Sequence, residues 1–467
     1  MEQFFNLSER GTNVKKEFLA GLTTFLTMSY IIFVNPSILS QTGMEYSSVF
    51  IATCLAAAVG TFLIGFLANL PFAQAPGMGL NAFFTFTVVF TLGYSWQEAL
   101  AVVFISGLLF LFLTVTGLRR KIIDAIPLSL KMAIAPGIGM FIALIGLNNA
   151  GVIDINQGPI IDIILNNDLS DKDALIGAIQ SAPSQVLQLG SISNPKVLLT
   201  LIGLAVLIIL MVKKVRAAMI WSIIITTVIG IPLGITQLPE SYNVSDLSLS
   251  DTFLSLDLKG LFIENGEWKS MSFLLNLLVL VISFTLIDLL DTLGTLIGTA
   301  KKGGLLNDKG EVPKMDKALL ADATATTVGS LLGTSSVTTY IESSSGVIEG
   351  GRTGLTSMFT AALFIAAIFL APIAGIVPVA ATSPILIVVG ILMMDGVKDM
   401  KLDRLEVLIP SVLLIFMMPF SYSIANGIAF GIISYVIIQV ASGKAKSLSP
   451  ILYGLSLIFI LKLLVIH

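Results

Sequence analysis

The sequence predicts an all-α polytopic membrane protein of about 14 spans, built as two halves of seven. Three observations carry that prediction: composition, the lengths of the apolar runs, and a matched pair of interrupted runs. Of 467 residues, 55% are hydrophobic and 12% charged, against about 25% charged in an ordinary soluble domain. That supply is enough for roughly a dozen 20-residue bilayer spans. A mean hydropathy of +0.95 over the whole length leaves no room for a sizeable aqueous domain. Composition therefore excludes a soluble enzyme, a nucleic-acid binder and a secreted disulfide scaffold. The single cysteine, Cys54, permits no disulfide framework or thiol cluster, and the single histidine is His467. No metal or cofactor is indicated, and proton chemistry within the bilayer falls to carboxylates. The N-terminal stretch Met1–Lys16 is polar, without a small-residue cleavage pattern, so no removable signal peptide is expected.

Apolar runs place spans near 17–40, 48–70, 76–93, 97–118, 126–148, 197–212, 217–236, 272–300, 320–334, 336–350, 355–376, 384–396, 405–420 and 422–441. A last apolar stretch, 449–466, is either a further span or a helix along the interface. Basic residues orient the chain. With the N-terminus in the cytoplasm, 20 of the 26 Lys and Arg residues fall on the cytoplasmic side. The two long opposite-side loops, 151–196 and 237–270, hold four basic and eleven acidic residues. The positive-inside bias thus predicts a plasma-membrane protein with a cytoplasmic N-terminus.

Helix-breaking residues cluster in two places. Residues 71–84 read PFAQAPGMGLNAFF, and residues 333–346 read GTSSVTTYIESSSG, β-like from Ser336 to Ile341. Irregular backbone at membrane depth survives only where protein buries it or where it lines a cavity. The two stretches occupy the third and tenth spans, matching positions of two seven-span halves. Such a pair points to a transporter's binding site, and an odd number of spans per half gives an inverted repeat. Direct self-similarity is weak; its best trace is Ile126-Pro127 before Gly137–Leu147, beside Val377-Pro378 before Ile385–Met394.

Few charges fall within these spans: Glu98 near an edge, Lys131, Asp288, Asp291, Glu342 and Asp395. An Asp at a helix centre costs roughly 2.5–3.5 kcal/mol on insertion scales, so each needs a partner or a function. Asp288 and Asp291 share one helix face. Glu342 sits where the β-like segment becomes helical, and free backbone N–H groups are expected around its carboxylate. Structural roles compete: Asp291 in particular suits pairing or capping, with Lys131 and Arg352 as basic partners. Asp395, with Asp399 and Asp403, reads as a solvated face. Asn81 is either a helix-start residue or an amide placed opposite Glu342. Phe83 and Phe84 read first as packing residues, and as platforms only for a flat aromatic ligand.

Residues 21–36 (GLTTFLTMSYIIFVNP), 75–83 (APGMGLNAF), 288–295 (DLLDTLGT), 340–346 (YIESSSG), 350–357 (GGRTGLTS) and 421–431 (SYSIANGIAFG) resemble the AzgA-like purine permeases of the nucleobase–cation symporter-2 group. The resemblance runs in order from about residue 5 to the end. It implies a uracil-permease-type fold of seven plus seven inverted spans, with short strands in spans 3 and 10 meeting at the substrate. The core domain would comprise 1–121 (spans 1–4) and 271–380 (spans 8–11). The gate domain would comprise 122–270 (spans 5–7, with the extracellular loops) and 381–467 (spans 12–14 and the last apolar segment). Carried over by motif, the purine-binding acids fall on Asp288 and Glu342, the third-span amide on Asn81 and a supporting acid on Asp291. Ser343 beside Glu342 joins the binding set with Phe83 and Phe84. Family members import hypoxanthine, guanine or adenine with protons. Related uracil carriers have a histidine in the eighth span; this chain has none, so no histidine role is carried over. The fold also suggests a homodimer through the gate domain.

The chemistry agrees with that resemblance. A purine carries N–H donors on both rings, which Glu342 can accept, and a 6-oxo group would take a donor from Asn81 or a backbone N–H. Stacking on Phe83 or Phe84 would add about 1–3 kcal/mol. Protonation of Asp288, Glu342 or Asp291 would couple transport, because a neutral acid crosses a gate more cheaply than a bare carboxylate. An adenine permease of the same group is the nearest alternative reading. An anion exchanger would want positive charge at the midplane rather than Asp288 and Glu342. A prenyl-transfer enzyme would use Asp288-x-x-Asp291 as a magnesium–diphosphate pair, yet it lacks a second acidic motif and nearby basic residues. A channel would be blocked by a solute-trapping acid pair, and 294–301 has the wrong spacing for a phosphate loop.

Overall fold

The computed structural model describes residues 2–155, 187–238, 248–264, 267–307 and 311–465. The central parts of the two long loops, 156–186 and 239–247, lie outside these. The main elements are α1 (Val14–Met28), α2 (Ile31–Leu39), α3 (Tyr46–Leu63), β1 (Gln74–Pro76), α4 (Met78–Ala82), α5 (Trp96–Val115), α6 (Leu128–Asn149), α7 (Pro195–Val212), α8 (Ala218–Gly230), α9 (Met271–Gly303), α10 (Met315–Leu332), β2 (Val337–Thr339), α11 (Ser343–Ile348), α12 (Gly354–Ala367), α13 (Val379–Met393), α14 (Leu405–Phe420), α15 (Ile424–Ala441) and α16 (Pro450–Val465). Among the described residues, nine helices are long and apolar enough to cross a membrane, and four shorter apolar helices accompany them. The outer surface carries Phe112, Ile209, Val212, Trp221, Phe420 and Ile437, each about half exposed or more. In water such a surface would aggregate; in a bilayer it is the solvated face. The chain is a multi-pass membrane protein.

Helix starts follow their capping residues. Ser95 and Glu98 form a reciprocal capping box at α5, and Asn194 caps α7 ahead of Pro195 in its first turn. Pro136 in α6 and Pro410 and Pro419 in α14 are tolerated because neighbouring helices surround them. The first apolar run is two helices in one span, joined through Ser29 and Tyr30. The eighth-span run is a single helix of 33 residues, α9.

Packing falls into two groups. One joins α1, α3, α5, α10 and α12; the other joins α6, α7, α8, α13, α14 and α15. Small residues set both. A Cβ on Gly354 would collide with the backbone oxygen of Gly65, and a Cβ on Gly390 with that of Gly139, so α6 and α13 touch backbone to backbone. In the first group, Glu17 at the start of α1 is fully buried. It accepts from the N–H groups of Arg352 (2.9 Å) and Thr356 (3.0 Å) and from the Thr356 hydroxyl, binding α1 to the start of α12.

α16 runs antiparallel along α15: Tyr453 donates to the Ala445 carbonyl near one end, and Lys462 Nζ donates to Asn426 Oδ1 at 2.7 Å near the other. Lys462, in the last turn of α16, is 7% exposed, a buried basic residue that the apolar run did not single out. Lys131 lies in the first turn of α6 and is half-buried.

Both interrupted stretches leave the helical state where their sequences break it. β1 and β2 pair antiparallel, with Gln74 opposite Thr339, Ala75 opposite Thr338 and Pro76 opposite Val337. The ladder extends through Gly77 N–H to Ser336 O (2.9 Å) and Tyr340 N–H to Ala73 O (3.0 Å). Pro76 costs no ladder bond, because a two-stranded pair leaves one side of each strand free. Every residue of both strands is buried. After β1 the chain forms α4 and then a wider-turned helix over Phe83–Thr91; after β2 it forms only the six residues of α11.

Candidate functional site

The strand pair collects polar side chains that the flanking helices would otherwise bury without partners. Asp288, 2% exposed, accepts through Oδ2 from the Thr326 hydroxyl of α10 at 2.9 Å, while its Oδ1 is buried with no hydrogen-bond partner. The same Thr326 hydroxyl accepts from Val337 N–H at 3.1 Å, fastening α10 to β2. Asp291, one turn further along α9, is half-buried and faces the Thr338 hydroxyl of β2. Glu342 accepts from the Tyr30 hydroxyl at 2.6 Å. These three acids therefore flank the strands from α9 and from the end of β2, within electrostatic reach of one another in the pairs Asp288–Asp291 and Asp291–Glu342.

Asn81 in α4 is fully buried; its Oδ1 accepts from the Ser335 hydroxyl, and its Nδ2 has no partner. Ser336 Oγ and Gln74 Oε1 are also buried without partners. Unpaired buried polar groups each cost about 1–3 kcal/mol, so four of them beside one strand pair make this the candidate site. The unpaired set contains acceptors (Asp288 Oδ1) and a donor (Asn81 Nδ2), which suits a neutral solute carrying both.

The other expected residues are placed as follows. Ser343 is fully buried, and its Oγ accepts from Ala73 N–H at 2.9 Å, which ties α11 to the segment before β1. Phe83 and Phe84 are fully buried, and Phe83 packs on Phe284 of α9 with ring centroids 4.8 Å apart. One expectation is corrected: the Glu342 carboxylate does not cap α11. Glu342 already has helical backbone angles (φ −60°, ψ −21°), unlike the extended N-cap, and makes no side-chain cap bond; its Oε1 accepts from Tyr30, and the backbone N–H near its carboxylate is its own. Arg352 is no partner for an acid here; its guanidinium donates to the Val347 and Gly351 carbonyls. Asp395 is exposed and pairs with Lys398, as a solvated face does.

Sequence reasoning missed Tyr30, Gln74 and, above all, Asp322. Asp322 in α10 is fully buried; its Oδ1 accepts from Gln74 Nε2 at 3.0 Å and its Oδ2 from the Thr292 hydroxyl at 2.9 Å. Gln74 Nε2 also donates to Thr339 Oγ1 at 3.1 Å. The signal was present: an acid within the run 320–328 (LADATATTV), two residues inside the expected ninth span.

Comparison with known proteins decides the family. The family model described as "Permease family" (Xan_ur_permease) matches residues 15–170 and 172–430. The chain belongs to this family. The permease is 41% identical over 466 residues to the adenine permease AdeP of Escherichia coli, covering 100% of this chain and 96% of that protein. It is 40% identical over 472 residues to the guanine/hypoxanthine permease PbuG of Bacillus subtilis, covering 99% of each. Among solved structures, the transmembrane domain of the cyanobacterial bicarbonate transporter BicA superposes with a TM-score of 0.60 at 14% identity, over 90% of this chain and 97% of that one. That likeness concerns the fold alone. The permease is thus a membrane transporter and not an enzyme.

Proposed function

We propose that the permease imports purine nucleobases, hypoxanthine or guanine first, together with a proton. The observation that carries this reading is the pair of unpaired groups beside the buried strand pair, Asp288 Oδ1 and Asn81 Nδ2, both held near the start of β2 through Thr326 and Ser335. A 6-oxopurine offers N–H donors to the carboxylates and a carbonyl to an amide donor. In this reading Asp288 and Glu342 bind the base, Asn81 and Ser343 complete the polar contacts, Phe83 and Phe84 form the apolar wall, and Asp288, Glu342 or Asp291 carries the coupling proton. Relatives named for adenine and for guanine and hypoxanthine stand at nearly equal identity. Adenine is therefore the second reading.

Movement would be of the elevator type, on seven plus seven inverted spans with the N-terminus in the cytoplasm. The helix group of α1, α3, α5, α10 and α12 would be the core domain (1–121 and 271–380). The group of α6, α7, α8, α13, α14 and α15 would be the gate domain (122–270 and 381–467), through which a homodimer would form. The two packing groups support that division. The test is uptake of labelled hypoxanthine by cells expressing the permease, in competition with unlabelled guanine, adenine, xanthine and uracil. Strong competition by guanine and weak competition by uracil is expected; competition by adenine alone would favour the second reading, and none by any purine would end both.

A further inference from the structure

We propose that Asp322 is the carboxyl that holds the coupling proton while the loaded site changes sides. This rests on the proton-symport reading above and deepens it, because it moves the proton away from the acids that meet the base. Asp322 has no exposed surface. Both of its oxygens are engaged, and both by neutral donors, Gln74 Nε2 and Thr292 Oγ1. Among the described residues no cation pairs with it.

The elements packed around α10 explain why a proton belongs there. From α9 the neighbouring charges are Asp288 and Asp291, both of the same sign. From α3 the titratable groups are the buried Cys54 and Tyr46, while Glu45 caps its own helix end at Ser47 and Ser48. From α5 the acid is Glu98 at the far end, paired with Lys269 at 2.8 Å. In the first turn of α10 itself, Asp316 pairs with Arg119. Three carboxyls near one another with no compensating cation cannot all be ionised cheaply.

Of the three, Asp322 suits proton storage and Asp288 suits the base. Asp288 keeps a free oxygen, whereas both oxygens of Asp322 are engaged. Gln74 links the two functions: its amide is shared between Asp322 Oδ1 and Thr339 Oγ1 of the opposite strand, so the charge on Asp322 bears on how Gln74 ties the strand pair to α10. Asp288 precedes by one helical turn on α9 the Thr292 whose hydroxyl donates to Asp322 Oδ2. The balance is simple. One proton from outside converts the carboxylate to the acid, no other covalent bond changes, and its loss to the cytoplasm returns the carboxylate. One neutral base and one positive charge cross per cycle.

The test uses the purified permease in proteoliposomes with a pH-sensitive dye inside. Asp322→Asn keeps an acceptor for Gln74 and a contact with Thr292 but cannot take a proton. Counterflow of labelled against unlabelled hypoxanthine is expected within about twofold of the unaltered protein, while base-driven proton influx falls at least tenfold and accumulation is lost. Proton influx per base equal to the unaltered protein would overturn the proposal, as would loss of counterflow together with proton influx. If the variant does not fold, Thr292→Val serves. It leaves the carboxyl, removes a donor to its charged form, and moves the pH of half-maximal uptake upward; an unmoved profile would overturn the proposal. Absence of base-driven influx in the unaltered protein would refute the symport reading itself, and this proposal with it.

Discussion

Replacing Glu17 by Ala removes the carboxylate that joins α1 to α12. Glu17 accepts from Arg352 N–H at 2.9 Å, Thr353 N–H at 3.4 Å and Thr356 N–H at 3.0 Å, and from the Thr356 hydroxyl. Ala leaves the two well-placed backbone donors, Arg352 and Thr356, buried without an acceptor, at about 1–3 kcal/mol each. The hydroxyl can turn elsewhere. Loss of side-chain packing adds to this, giving about 3–5 kcal/mol in total. Glu17→Gln keeps one oxygen and places an NH2 group toward one donor set, so about half that cost is expected. A chain of this length loses about 1 °C of melting temperature per kcal/mol. In detergent, Glu17→Ala should therefore melt about 3–5 °C lower, with Glu17→Gln between it and the unaltered protein. A Glu17→Ala melting point within 1 °C of the unaltered protein would refute the assignment of this carboxylate as the joint between the two helices.

Other expectations concern single contacts. Tyr30→Phe removes the 2.6 Å hydrogen bond to Glu342; charged hydrogen bonds contribute about 1.5–3 kcal/mol, so hypoxanthine KM should rise about tenfold or more with little change in melting temperature. Lys462→Met replaces a buried ammonium that donates to the neutral Asn426 and, among the described residues, pairs with no acid. Like other buried charges replaced by an apolar side chain of similar volume, it should leave the melting temperature unchanged or raise it. Gly354→Ala drives a methyl group into the Gly65 carbonyl, and should lower the yield of folded protein on size-exclusion chromatography severalfold.

The spans and the two interrupted stretches were legible because both signals are local. Apolar runs of bilayer length, and a cluster of Gly, Pro, Ser and Thr within one, do not depend on what packs against them. Asp288 and Glu342 stood out for the same reason, as charges inside apolar runs. Asp322 and Glu17 did not, because each lies within three residues of an expected span edge, where an acid normally meets water. Only tertiary packing buries them: Asp322 against Gln74 and Thr292, Glu17 against the start of α12. The conformation of Glu342 was equally hidden. Its sequence position suggests a carboxylate among free backbone N–H groups, and the hydroxyl that donates to its Oε1 comes from Tyr30, 312 positions away.

Proton-coupled uptake of a purine at the strand pair is the central claim. Its most direct measurement is hypoxanthine accumulation in proteoliposomes under an imposed inward proton gradient, with Asp288→Asn alongside. Asp288 keeps an unpaired buried oxygen at the site, so accumulation in the unaltered protein, abolished by collapsing the gradient and lost in Asp288→Asn, is the predicted result. Uptake indifferent to the gradient, or full gradient-driven accumulation in Asp288→Asn, would contradict it.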